Sequence, residues 1–252
     1  MQPVRLIIEP VPTAGDWNMA VDESLLESAL AGERTTVRIY RWSAPTVSLG
    51  YFQDAEEFER DSQWQELAAV RRLSGGGAIL HDREVTYSIA LPGSHPLAAQ
   101  PSGLYRVAHD AIIAVLARHG AHARMRGDAA ATSDQRPATS DPFLCFGRGD
   151  PNDIVLGTYK IVGSAQRRRR GAILQHGSVL LERSPHAPEF SGLRELTGVT
   201  FDPEPFSVEV GSALATTLGE HAEGGLEPDE LDRAATLQRK RYFALRWERG
   251  KD

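Results

Sequence analysis

The chain has 252 residues and a mass of 27.6 kDa, with 41% hydrophobic and 25% charged residues. That is long enough to bury a core, and it excludes a low-complexity tail or a collagen-like repeat. A single cysteine, Cys145, excludes an internal disulfide framework, and the balance of 28 Lys+Arg against 34 Asp+Glu, a net charge of −6, argues against a general nucleic-acid binder.

The elements follow in chain order. Val4–Ile8 is apolar and β-branched and reads as a strand. It meets Glu9 rather than continuing as a signal peptide. No apolar run approaches the ~20 residues of a membrane helix, so a cytoplasmic protein that meets no membrane is expected. Asp16 is placed as an N-cap. Behind it Trp17, Ala20, Val21, Leu25, Ala29 and Leu30 recur at helical spacing until Gly32. Residues 37–42 and Thr46–Leu49 read as strands and 61–69 as a short helix. Residues 70–73 form a strand that runs into Ser74-Gly75-Gly76-Gly77, and 85–91 form another. Leu104, Val107, Ala108, Ala111, Ile112, Val115 and Leu116 make a helical stripe ended by Gly120. The small, polar stretch 127–142 reads as a mobile loop. Ile154–Leu156, 159–163, 172–175 and 178–181 read as a string of short strands, and two helices, 207–221 and 229–247, close the chain. Neither a repeat nor a linker is visible. The whole chain, 1–252, reads as one α+β domain of mixed strands with helices packed on them.

Four segments carry possible chemistry. Arg71-Arg72-Leu73-Ser74-Gly75-Gly76-Gly77-Ala78, with His81 beyond it, puts three glycines after a strand. Such backbone can approach a ligand closely, and an arginine before it can grip a carboxylate or phosphate. A plain tight turn fits equally, and this is not a P-loop, since no Gly-Lys-Ser/Thr follows. Lys160-Ile161-Val162-Gly163-Ser164-Ala165-Gln166-Arg167 sets one of only three lysines beside small residues. That suits a pocket for a substrate chain, or a solvated strand end. Cys145 lies between Leu144 and Phe146, as a buried hydrophobe would, yet near Gly147-Arg148-Gly149. A nucleophilic thiolate would need a cation nearby, for which Lys160 is the candidate. Gln175-His176-Gly177-Ser178 offers a histidine as acid/base, as an orienting group or as a satisfied core residue. Arg167 to Arg170 are assigned to a hairpin turn, solvated or presented to an acidic partner. No ligand-spaced metal cluster and no Gly-x-Ser-x-Gly elbow appear.

Together these segments resemble the lipoate–protein ligase and octanoyltransferase family, whose catalytic fold is shared with biotin–protein ligase. The resemblance extends to Asn18-Met19-Ala20-Val21-Asp22-Glu23, to Tyr40-Arg41-Trp42 through Ser48-Leu49-Gly50-Tyr51-Phe52-Gln53, and to Arg241-Tyr242 with Trp247. It implies a single catalytic domain with a mixed, mostly antiparallel sheet. Cys145 ahead of Lys160 resembles the cysteine-dependent octanoyltransferase branch. There Cys145 and Lys160 would be catalytic, with Arg72, Ser74, Gly75, Gly76, Gly77, His81, Gly163, Ser164, Ala165, His176 and Gly177 lining the substrate site. Amides near Gly76-Gly77 or Gly163-Ser164 would hold the oxyanion. The donor would be octanoyl-acyl carrier protein, for which Arg167 to Arg170 form the suggested docking patch. The acceptor would be a lipoyl domain of a dehydrogenase E2 subunit or a glycine-cleavage H protein. No cofactor or metal is then required. Asn152-Asp153 instead resembles the Asn-Asp before the lysine strand in the ATP-dependent ligases, which would require ATP and Mg. An amidotransferase that moves octanoyl between lipoyl domains, or a non-catalytic acyl- or protein-binding relative, would carry the same segments.

Overall fold

The computed structural model describes residues 3–32, 34–60, 63–128 and 143–243. The first half holds β1 Val4–Ile8, α1 Gly15–Leu30, β2 Thr36–Tyr40, β3 Thr46–Leu49, α2 Ala55–Arg60, β4 Ala68–Arg71, β5 Ile79–His81 and β6 Glu84–Leu91. Then come α3 Pro101–Arg118, β7 Arg124–Met125, β8 Ile154–Leu156, β9 Tyr159–Arg169 and β10 Ala172–Leu180. Last are α4 Leu193–Thr197, α5 Pro203–Leu218, β11 His221–Glu223, α6 Pro228–Leu237 and one π-helical turn, Gln238–Tyr242.

Eight strands form one sheet in the order β11-β1-β2-β6-β10-β9-β8-β7. β1 runs parallel to β11 and β2, and the pairings from β2 to β7 are antiparallel. A second sheet, β4-β3-β5, lies beside it. This is the expected α+β architecture with a mixed, mostly antiparallel sheet.

Both faces of the large sheet are covered, so its central strands β2, β6 and β10 are buried along nearly their whole length, polar residues included. Alternate residues serve opposite layers. Leu6, Ile39, Ile89 and Ile173 pack toward α3 and α5, against Ile112, Val115, Val210 and Leu214. Ile7, Tyr40, Ala90 and Leu174 pack toward α1, against Val21 and Leu25. The small sheet has its own core of Val47, Leu49, Phe58, Trp64, Leu80 and Phe143. Asp202 caps α5, its carboxylate accepting from the Glu204 N–H at 3.2 Å, and Pro203 fills the first helical position.

Several boundaries differ from the sequence reading. Asp16 lies in the first turn of α1, which starts at Gly15. The helix expected over 61–69 is instead α2, six residues earlier, and Ala68 and Ala69 belong to β4. Pairing decides this: Ala68 lies opposite Thr46 and Arg71 opposite Leu49. The strands expected at 172–175 and 178–181 are one strand, β10, held in register by β6 and β9 on its two sides. Arg167 to Arg169 are strand residues, not turn residues. Ala172 pairs with Arg169, so the turn is only Arg170-Gly171, both at positive φ (44° and 90°), the geometry of a two-residue hairpin. α5 ends at Leu218, and His221 starts β11. α6 ends at Leu237; Trp247 and most of the 127–142 loop lie outside the described residues. The sequence reading missed β5, β7, β11 and α4. No described helix is long and apolar enough to cross a membrane.

Candidate functional site

The site forms where the end of β4, the glycine turn, the 143–147 segment and the start of β9 converge. β4 ends at Arg71, whose guanidinium donates to the Gly50 and Gln53 carbonyls at 2.9 and 2.7 Å. Arg72 is buried beneath the glycine turn. Its Nη1 donates to Ser48 O at 2.7 Å, and its Nη2 to Gly75 O and Gly77 O at 2.8 and 2.7 Å. The fork that the sequence offered to an anion therefore holds the turn's own carbonyls. Burial pushes the guanidinium down to about 10, with the charge of a Cys145 thiolate pulling the other way. Two glycines make the turn possible. Gly76 has φ +94°, and at Gly50 a Cβ would lie 2.0 Å from the Gly76 carbonyl oxygen.

Ser74 anchors the turn from the other side. Its hydroxyl is hydrogen-bonded to His176 Nε2, and His176 Nδ1 lies 3.3 Å from Asp22 Oδ2. All three residues are buried. The carboxylate fixes the tautomer: Nδ1–H donates to Asp22, so Nε2 accepts from Ser74. Burial pushes the His176 imidazole below its ordinary value, so it is neutral here. Asp22 also accepts from Arg38 Nη1 at 3.0 Å, Ser88 Oγ at 2.8 Å and Tyr40 OH at 2.9 Å. These partners outweigh its burial and hold its carboxyl below the usual range.

A second relay runs alongside. His81 Nδ1 lies 2.6 Å from Glu84 Oε1 and His81 Nε2 lies 2.7 Å from Ser48 Oγ, while Trp42 stacks on the imidazole at 3.8 Å between centroids. Ser48 Oγ in turn accepts from Arg72 at 3.2 Å. Arg72, His81, His176 and Gly177 line one small cavity of about 10 Å³, so the structure brings these four predicted residues together.

Cys145 lies beside the glycine turn. Its N–H donates to Ala78 O at 2.7 Å, and the Ala78 N–H donates to Phe143 O at 3.0 Å. This short parallel pairing lays 143–145 against the glycine turn. A Cβ on Gly77 would lie 3.1 Å from Phe143 O and 3.3 Å from Cys145 N, so the glycine eases this close approach. Lys160, near the start of β9, reaches across to it, with Nζ 3.6 Å from Cys145 Sγ and 2.8 Å from Asp153 Oδ1. The Phe146 ring lies under the ammonium at 5.1 Å. Gly163 leaves the space that the lysine occupies; a Cβ there would lie 2.7 Å from Lys160 Cε. The half-buried thiol therefore faces an ammonium.

The residues after Lys160 divide between the two faces of the sheet. Ala165 pairs with His176, on the α1 side. Ser164 pairs with Gly177 and points toward α3, where its hydroxyl lies 2.7 Å from both His109 Nε2 and Tyr87 OH. Gln175 donates to Tyr87 OH at 3.0 Å and accepts from Gln166 at 2.7 Å. Burial pushes His109 down to about 4, so it is neutral. Ser164 is thus part of a polar layer beneath the site. Of the suggested docking patch, Arg169 is engaged with Glu27 at 2.5 Å, and Arg167 lies over the Tyr51 ring at 4.7 Å.

Sequence reasoning gave no role to Asp22, Ser48, Glu84 or His109. Asp22 had a signal, a carboxylate beside Val21 on a helix whose neighbours are apolar. Ser48 and His109 are too ordinary in strand and helix to stand out.

Comparison with known proteins adds the following. Residues 15–200 match the lipoyl protein ligase A/B catalytic domain. Octanoyltransferase LipM of Kyrpidia tusciae is 34% identical over 261 residues, covering 92% of this chain and 93% of that protein. Octanoyltransferase LipM of Moorella thermoacetica is 41% identical over 170 residues, covering 65% and 60%. Among solved structures, a Thermoplasma acidophilum protein with bound lipoic acid superposes with a TM-score of 0.71 at 21% identity, covering 95% of this chain and 96% of that one. Lipoate-protein ligase A bound with ATP gives 0.69 at 22% identity, covering 96% of each. These last two likenesses concern the fold.

Proposed function

The chain belongs to the lipoyl protein ligase A/B catalytic-domain family, and on that premise we propose that it transfers octanoyl from acyl carrier protein to a lipoyl-domain lysine through a thioester on Cys145. The chain is an octanoyltransferase of lipoate biosynthesis. The covalent route rests on one observation: its only cysteine lies 3.6 Å from the ammonium of Lys160, beside the glycine turn.

The reaction has two halves. The Cys145 thiolate attacks the carbonyl of the donor thioester, and a new C–S bond forms. The donor's thiolate leaves and takes a proton from Lys160. The neutral Lys160 amine then takes a proton from the acceptor lysine's ammonium. That freed amine attacks the acyl-enzyme, the C–N bond forms, the new amide nitrogen gives its remaining extra proton to solvent, and Cys145 leaves as a thiolate beside the restored Lys160 ammonium. The amides of Gly76-Gly77, whose backbone lies against Cys145, are the oxyanion donors in this reading. Arg72 and Ser74 hold that turn, and His81 and His176 fix it through their hydroxyl partners.

The test is intact-mass measurement after mixing with octanoyl-acyl carrier protein and no ATP, beside Cys145→Ala. One octanoyl group on the wild type alone, released by hydroxylamine, is the expected result. No adduct, with transfer appearing only when ATP and free octanoate are supplied, would make the chain a ligase and Cys145 a packing residue.

A further inference from the structure

Lys160 Nζ has three polar partners, the Cys145 carbonyl oxygen at 3.4 Å among them, and the carboxylate is the nearest. Asp153 Oδ1 lies at 2.8 Å and Cys145 Sγ at 3.6 Å. Both ion-pair side chains are 4% exposed, so water does not screen them. Asp153 is itself fixed: its Oδ2 accepts from the Asp150 N–H at 2.8 Å, its own N–H donates to Asp150 O at 3.0 Å, and Arg126 Nε lies 3.7 Å from it. This tight turn opens β8 and delivers a rigid carboxylate to the lysine. Burial pushes the Asp153 carboxyl up, against the pull of the Lys160 ammonium. An ion pair buried this deeply is weak evidence for stability and needs another explanation.

The two half-reactions supply one. During acylation the ammonium has the thiolate beside it. Once Cys145 is a neutral thioester that anion is gone and Lys160 has given up its proton, and a buried carboxylate without its cation is expensive, which favours return of the ammonium. Asp153 is the anion that remains. We infer that Asp153 is a positioning residue that acts through Lys160, holding its head at the sulfur in both half-reactions and strengthening it as the base that deprotonates the incoming lysine. When Lys160 takes the acceptor's proton, the carboxylate 2.8 Å away pairs with the charge that forms. It also shares the ammonium with the thiolate, so the two negative charges compete for one cation.

This inference rests on the proposed thioester route, and its test separates the two. Asp153→Asn is compared with wild type in three measurements: alkylation of Cys145 by iodoacetamide at pH 7, acylation by octanoyl-acyl carrier protein, and aminolysis of the isolated acyl-enzyme by a lipoyl domain. Alkylation is expected to quicken by roughly two- to fivefold, because a negative charge near the thiolate is gone. Aminolysis is expected to slow by about tenfold or more, because the base is weaker. Asp153→Glu keeps the charge and is expected to restore both rates to within about threefold of wild type. A merely structural residue would slow all three steps together, and that result would overturn the inference, as would unchanged aminolysis. If Asp153→Asn does not fold, failure of Asp153→Glu to sustain aminolysis while alkylation stays at the wild-type rate would show that the charge is not what matters. If wild type forms no acyl-enzyme, the thioester reading fails. The alkylation rates then test the Asp153–Lys160–Cys145 coupling alone, and equal rates in wild type and variant would refute it.

Discussion

Gly163→Ala separates the geometry of the lysine from the stability of the fold. An added Cβ would lie 2.7 Å from Lys160 Cε and 3.0 Å from Nζ, while its next neighbour, Phe146 Cζ, is at an ordinary 3.8 Å. No positive φ is involved, so only the lysine's flexible end must give way. The shorter contact, to Asp153 at 2.8 Å, resists, so the movement falls on the contact with Cys145. With an effective dielectric constant of ~20, an ammonium and a thiolate at 3.6 Å attract by ~4.6 kcal/mol, and ~1 Å more separation leaves ~3.6 kcal/mol. The loss of ~1 kcal/mol corresponds to about a fivefold slower reaction at the sulfur. Stability changes by less than ~1 kcal/mol, because alanine recovers some of the backbone entropy that glycine loses. The assay is the rate of Cys145 alkylation at pH 7, with thermal melting as the control for folding. Alkylation of Gly163→Ala is expected at about one fifth of the wild-type rate, with Tm shifted by no more than ~4 °C. In a Lys160→Met background the same substitution is expected to do nothing further, because its effect passes through the lysine. A full additional loss in that background, or a wild-type rate in the single variant, would refute the reasoning.

Two other perturbations test the scaffold. At Gly50 the added Cβ of alanine would lie 2.0 Å from the Gly76 oxygen and 3.0 Å from its carbon, both backbone atoms. Gly50→Ala is therefore expected to displace the glycine turn, costing ~1–3 kcal/mol of stability and at least about tenfold in acylation; wild-type melting together with wild-type acylation would show that the turn is not held there. His109 titrates at about 4 in the fold, because burial disfavours its charged form. Unfolded, it titrates near ~6.5. Between those values the unfolded chain binds more protons, so stability rises with pH through this window and is lost as pH falls through it. The share is roughly 3 kcal/mol. His109→Gln should lose that much less stability than wild type in denaturant titrations between pH 7 and pH 4, and parallel curves would contradict it.

Much of the site was legible because its chemistry is local. The glycines after β4, the lysine followed by Gly163-Ser164, and the single cysteine each announce themselves within a few residues. Fold class was legible for a similar reason, since the stripe on α3 and the β-branched runs of β1, β2 and β6 obey short periods. Boundaries were less legible. The helix expected at 61–69 gave way to β4 because Ala68 and Ala69 have a partner in β3, and no local signal records a pairing across 22 positions. Gln175-His176-Gly177 broke the β pattern in sequence, yet β6 and β9 hold all of β10 extended from both sides.

The sequence by itself determined which reactive groups exist and that they sit near glycines, because composition and short-range spacing are properties of the chain alone. Only the tertiary structure decided their employment. It turned Arg72 onto the glycine turn's own carbonyls, placed Asp22 behind His176 across 154 residues, sent Ser164 to the opposite face from His176, and put Asp153 nearer to Lys160 than the cysteine is. The physical reason is that a buried polar group must find a partner wherever the fold supplies one. Those partners come from elements that are neighbours only after the sheets and helices have packed.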